Sequence, residues 1–156
     1  MIEIDIPGFG TVKLEHLVSD FTGTLSFNGK LIPGVREKLN ELAASLTVHV
    51  LTSDTFGTAV SELKGVNCQT HILDGEFHDL QKEEYVEKLG ATSVVAFGNG
   101  NNDRKMLRVA RIGIAVTEKE GSAVDILMAG DLHVTGIMNG LDLLLNTKRL
   151  KATLRY

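Results

Sequence analysis

The feature that most constrains this chain is the alternation of strand-like and helix-like segments along most of its length. TVHVLT (47–52), CQTHIL (68–73), SVVAF (93–97), IGIAV (112–116) and DLHVT (131–135) are short apolar or β-branched runs. FGTAVSELK (56–64), DLQKEEYVEKLG (79–90), NDRKMLRVA (102–110) and GSAVDILMA (121–129) separate them with helical character, and GLDLLLNTKRLKATLR (140–155) reads as one final helix. In the 79–90 helix the inward side chains are Leu80, Val86 and Leu89. Parallel neighbours need long crossovers, so strict alternation means βαβ units. Upstream, IEIDI (2–6) and TVKLEHLV (11–18) alternate apolar and polar residues around Pro7-Gly8-Phe9-Gly10. They predict a β-hairpin whose second strand runs on toward Asp20 and extends the sheet. Pro33 opens a helix with Val35, Leu39, Leu42, Ala43 and Leu46 at helical spacing. The expected fold is α/β: a doubly wound, Rossmann-like three-layer sandwich with a mainly parallel sheet plus the N-terminal hairpin. The 156 residues suit a single domain, 1–156, without repeats or linkers.

In such sheets ligands sit beyond the carboxyl ends of the strands. After the first long strand comes Asp20-Phe21-Thr22-Gly23-Thr24; after TVHVL comes Thr52-Ser53-Asp54; after SVVAF comes Gly98-Asn99-Gly100-Asn101-Asn102-Asp103. One rim would therefore receive an acid, a hydroxyl pair and a glycine/amide/acid loop, with Lys82 in reach from the first turns of its helix. These types suit phosphoryl transfer, which needs a nucleophile, positive charge on the phosphoryl oxygens and close positioning. Asp20 can be the nucleophile and form an aspartyl phosphate. Its charge repels a phosphate dianion, so a divalent cation has to lie between them. Mg²⁺ takes hard oxygens, and Asp20, Asp103 and the Thr22 carbonyl are the candidates. Thr52, Ser53 and backbone N–H groups near Gly23 would donate to phosphate oxygens, and Lys82 would supply a cation.

DFTGT, LTSD, a helical lysine and GNGNNDRKMLRVARIGIAV, in that order, resemble the haloacid dehalogenase-like superfamily of phosphohydrolases. The likeness is greatest to the phosphorylation domain of P-type cation ATPases, whose pattern is DKTGT, TGD, a lysine and GDGxNDxxAL…GIA. It covers most of residues 15–145. The resemblance implies Asp20 as nucleophile, Thr52 and Lys82 on the phosphate, and Asp103 with Asn99 at an Mg²⁺ site.

Four departures shape the expectation. Only about one helix's worth of chain separates DFTGT from LTSD, leaving no nucleotide-binding insertion. No cap domain fits there or between Thr52 and Lys82, so the site should be open. That favours a bulky substrate or a homo-oligomer partner that covers it. Thr22 stands where soluble phosphatases of the superfamily carry a general acid/base aspartate. Such help is worth roughly 10²–10⁴-fold, so the acyl phosphate should break down slowly. Asn99 replaces the first acid of GDGxND and weakens the cation site. The reading is an Mg²⁺-dependent phosphatase acting on a phosphorylated substrate. The alternatives are a phospho-accepting regulatory module and a non-catalytic binding protein on the same fold.

A formal net charge of −4 without a basic stripe argues against nucleic acid. No apolar run approaches the ~20 residues of a membrane span, and Met1 is not followed by a leader pattern. The lone cysteine, Cys68, fits a reducing cytoplasm and reads as a small buried hydrophobe. The five histidines lack metal-ligand spacing; Met106, Met128 and Met138 read as core, Asp54 as a helix cap, and the basic run Lys148–Arg155 as a solvated face.

Overall fold

The computed structural model describes residues 1–156. Six strands form one wholly parallel sheet: β3 (His16–Asp20), β6 (Thr47–Thr52), β7 (Gln69–Ile72), β8 (Val94–Gly98), β9 (Ile112–Thr117) and β10 (Leu132–Thr135). Their spatial order is β10-β9-β8-β3-β6-β7. From β3 the chain winds outward through β6 and β7, then returns to β8 on the other side. The strand order therefore reverses beside β3, and the crevice at that reversal is where this architecture binds ligands. Register aligns the three inner strands at that end, with Asp20 beside Leu51 and Ser19 beside Phe97.

Apolar side chains alternate between two layers. Leu17, Val50, Val95 and Phe97 face a large core that includes α1 (Val35–Leu42), α5 (Ile137–Leu145) and α6 (Thr147–Leu154). Val18, Leu51, Val94 and Ala96 face a smaller core that includes α3 (His78–Leu89) and α4 (Arg104–Val109). The short α2 (Ala59–Glu62) joins the first layer through Ala59. Asp54 accepts the Ala59 N–H at 2.9 Å and so caps α2. No helix is long and apolar enough to cross a membrane.

The expected hairpin is present, but it does not extend the sheet. β1 (Ile2–Ile6) and β2 (Gly10–Leu14) pair only with each other. The chain switches partners at Glu15, whose N–H donates to Ser93 O and whose carbonyl accepts from Thr47 N, both at 2.9 Å. From there β3 is committed to its two parallel neighbours. The hairpin instead buries Ile4, Ile6, Val12 and Leu14 in the larger core. Arg111 ties it down by donating to Phe9 O at 3.1 Å and lying 4.4 Å over the Phe9 ring.

Other expectations also need correction. The final helix is two helices, α5 and α6, broken at Asn146 (φ −122°, ψ 69°). The Asn146 amide donates to Asp142 O at 3.1 Å, a local bond that competes with helix continuation. Segment 121–129 forms only a 3₁₀ turn at Val124–Met128; Ile126 is buried there, and Met128 is 85% exposed rather than core. In α3 the buried residues are Lys82 and Val86, while Leu80 points outward. Cys68 is half-buried. A small hairpin, β4 (Ser26–Phe27) and β5 (Lys30–Leu31), follows the Asp20 loop. Its turn residues Asn28 (φ 50°) and Gly29 (φ 75°) are both left-handed, as an Asn-Gly hairpin turn requires.

Candidate active site

Three strands and one helix build the rim. β3 ends on Asp20, β6 on Thr52 and β8 on Gly98, so their loops open at the same edge. α3 lies over this edge and lowers Lys82 onto it. The Lys82 side chain is completely buried, and its Nζ donates to Asp20 Oδ1 at 2.8 Å and Asp103 Oδ1 at 2.6 Å. One ammonium thus bridges two carboxylates from loops 83 residues apart in sequence (103 − 20).

Asp103 is fixed from behind. It is fully buried, and its Oδ2 accepts the backbone N–H groups of Asn99 and Gly100, each at 3.0 Å. The 98–103 loop wraps its own acid. Gly98 makes room: a Cβ there would lie 2.4 Å from Asp103 Cβ. Gly23 has a similar role, since its φ of 78° is left-handed and a Cβ would meet Asn99 Nδ2 at 2.4 Å. The DFTGT and GNGNND loops are therefore packed directly together.

Thr24 joins them, and the sequence reading gave it no role. It is fully buried, with its hydroxyl 3.3 Å from Asp20 Oδ2 and 3.2 Å from Asn99 Oδ1. One hydroxyl proton can serve only one of these acceptors at a time. Its place directly after the turn glycine of DFTGT was the available signal. Asn99 Nδ2 donates to Gly121 O at 3.1 Å, which pins the turn after β9 to the same loop.

The remaining candidates are arranged less tightly. Thr52 is buried at the end of β6, where its hydroxyl accepts the Asp54 N–H at 2.9 Å and keeps its own proton free to donate. Ser53 is exposed just beyond, 3.3 Å from the Thr55 hydroxyl. Thr22 Oγ1 is buried without any hydrogen-bond partner. An orphaned hydroxyl costs stability unless a ligand or water satisfies it. Asp79, at the start of α3, takes a 3.0 Å ion pair from Lys105 and braces α3 against α4. Hydrogen bonding from Lys105 holds its carboxyl below the usual range.

The electrostatics of the centre are unbalanced. Two buried carboxylates face one ammonium. Burial, and then the charge of Asp103, push the Asp20 carboxyl up to about 7, against the opposing pull of Lys82. Burial works against the charge on Lys82, but Asp103 and Asp20 outweigh it and hold the ammonium firmly protonated. Two carboxylates share one ammonium, and the Asn99 amide oxygen is linked to them through Thr24; hard oxygens of this kind suit a divalent cation. No three His, Cys, Asp or Glu side chains converge in the chain. A cation would therefore rest on two acids, neutral oxygens and water, a pattern that suits Mg²⁺ better than zinc.

Residues 78–127 match the family model of haloacid dehalogenase-like hydrolases. An uncharacterized protein of Methanocaldococcus jannaschii is 43% identical over 77 residues, which cover 49% of this chain and 77% of that protein. The cobalt-bound deoxy-D-mannose-octulosonate 8-phosphate phosphatase of Haemophilus influenzae superposes with a TM-score of 0.70 at 13% identity, covering 92% of this chain and 94% of that one. A zinc-transporting PIB-type ATPase in its E2.Pi state superposes at 0.63 with 23% identity, covering 79% of this chain but 20% of the transporter.

Proposed function

This chain belongs to the haloacid dehalogenase-like hydrolases, and from that premise we propose that residues 1–156 form one uncapped catalytic core that hydrolyses a phosphate ester through a phosphorylated Asp20. The observation that carries the reading is the buried Asp20–Lys82–Asp103 bridge. A lysine and two acids are withdrawn from water at the strand ends, beside an orphaned hydroxyl. As structure alone this arrangement is costly.

In the first step an Asp20 carboxylate oxygen attacks phosphorus, the ester P–O bond breaks, and the departing alkoxide takes its proton from water. In the second step water attacks phosphorus, the aspartyl P–O bond breaks, and Asp20 and inorganic phosphate are released. Lys82 faces the charge that develops on the phosphoryl oxygens, while Thr52, Ser53 and the backbone around Gly23 orient them. Asp20, Asp103, the Thr22 carbonyl and the Asn99 amide oxygen would hold Mg²⁺, which supplies charge neutralisation between nucleophile and substrate when bound. A threonine hydroxyl is too weak an acid or base for either step at neutral pH, so Thr22 leaves the second step slow. That slowness also supports a second reading, a phospho-accepting module that holds its phosphate and turns over little. A cytoplasmic setting agrees with the single unpaired cysteine.

Labelling with beryllofluoride and Mg²⁺ tests the chemistry. Wild-type protein should trap one equivalent and Asp20→Asn none. Equal trapping by both would remove Asp20 from the mechanism. Burst kinetics with acetyl phosphate then separate slow turnover from none.

A further inference from the structure

The largest cavity of the molecule, about 460 Å³, lies between the β4–β5 hairpin and the turn after β9. Both walls are anchored on the candidate site. The hairpin begins two residues after Thr24, whose hydroxyl meets Asp20. Its base is held by Ser26 Oγ donating to Phe21 O at 2.9 Å. The opposite turn is pinned by Asn99, which donates to Gly121 O. Phe27, Leu31 and Pro33 give the cavity an apolar floor, and Lys30, Lys119 and Glu118 stand around it. The Lys119 ammonium is 5.4 Å from the centre of the Phe27 ring. Neither Lys30 nor Lys119 pairs with an acid. Glu118 also lines the cavity; its Oε1 accepts the Ile137 N–H at the start of α5, at 2.6 Å, and against its carboxylate the two lysines leave a net positive charge.

We propose that this cavity is the leaving-group subsite, and that the substrate is the phosphate ester of an alcohol with an apolar, ring-containing body and a second anionic group. The proposal rests on the phosphatase reading above and adds the substrate class. An open phosphoryl site with no cap has to find specificity in its rim. Here the rim offers an aromatic floor, which favours a planar apolar body. It also offers two unpaired ammonium groups, which favour an anion beyond that body. A small polar phosphate ester would leave both unused.

The test uses non-hydrolysable phosphonates and the full chain, followed by amide NMR titration in Mg²⁺. The probe is 4-(phosphonomethyl)benzoate, and methylphosphonate is the comparator that lacks body and second anion. The benzoate should bind about 10-fold tighter and shift Phe27 and Leu31. Phe27→Ala should weaken it about 5-fold, within the range of one aromatic contact. Lys119→Met, a surface change with little risk to folding, should weaken it about 3-fold, as for an exposed charge pair. Neither change should move methylphosphonate. Equal affinity for both phosphonates, or variants that weaken both alike, would overturn the subsite and leave the phosphatase reading standing. If neither phosphonate binds and Asp20 also takes no beryllofluoride, both readings fall. Concentration-dependent shifts of Phe27 and Leu31 without ligand would assign the cavity to a second copy of the chain and overturn the proposal.

Discussion

α3 carries Lys82 and Tyr85 one turn apart, and each enters a polar network on the central strands, yet the two networks are built on opposite principles. Lys82 joins Asp20 and Asp103, an assembly that is charged and buried, with one ammonium for two carboxyl groups. Tyr85 joins His49 at 2.9 Å, and His49 joins His16 at 3.1 Å. One assignment satisfies both of these bonds with every ring neutral: the Tyr85 hydroxyl donates to His49 Nδ1, and His49 Nε2–H donates to His16 Nδ1. Burial, then the neighbouring His16, lower His49 to about 4, so it stays neutral across the physiological range. The second network closes on itself and needs no ligand. The first has an orphaned Thr22 hydroxyl at its margin and, at its centre, a carboxyl that burial and Asp103 push up to about 7. Of the two, the one that is incomplete without a ligand is the one placed at the strand ends.

The contrast is broken most severely by Lys82→Met. With the ammonium gone, two buried carboxylates face each other. Phosphatase activity should fall by about 10²–10³-fold, and chemical denaturation should show a loss of about 3–5 kcal/mol. A variant that kept its activity would end the electrostatic account of the charged network. Removing Mg²⁺ with EDTA should abolish beryllofluoride trapping while leaving the fold intact by circular dichroism. Trapping that survived EDTA would exclude the cation from the site. Thr22→Asp sharpens the comparison by adding the missing acid/base group. Breakdown of the phosphoenzyme in single-turnover experiments should accelerate by about 10²-fold, and an unchanged rate would refute the explanation of slow turnover.

The neutral network predicts smaller effects. Tyr85→Phe should cost about 1 kcal/mol, the worth of one hydrogen bond, without changing kcat. His49 titrates lower in the folded chain than in the unfolded one, so the unfolded chain binds more protons between those values. Its contribution to stability is complete above about pH 6.5, the ordinary histidine value, and declines as pH falls toward 4. Denaturation midpoints of wild type and His49→Gln should therefore converge on acidification through this window. Parallel curves would show that His49 does not set the slope.

Much of the layering was legible because alternation and burial leave a direct trace in the sequence. β6, β8 and β9 are short apolar runs, and the ends of β3, β6 and β8 carry the polar residues now found at the rim. The misses share a cause: each depended on partners distant in sequence. Apolar periodicity placed Leu80 inward because it had no means of burying a lysine, whereas tertiary charge pairing buries Lys82. Only the bonds to Ser93 O and from Thr47 N–H reveal the change of partner at Glu15. The Asn28-Gly29 hairpin, by contrast, carries its signature locally, in the Asn-Gly pair itself. Thr24 was hidden by its neighbours in DFTGT, since the step from motif to contact requires knowing that Asn99 comes to meet it.

The bond from Asn99 to Gly121 gives position 99 two obligations. An aspartate there would strengthen the grip on a cation, but it has no N–H to offer the Gly121 carbonyl, so the turn that walls the cavity would lose one of its two bonds to position 99 and keep only the backbone bond from Ala123. Mutational routes toward a faster enzyme should therefore show epistasis between position 99 and residues 118–121, with the gain in metal affinity appearing only after the turn has found another anchor.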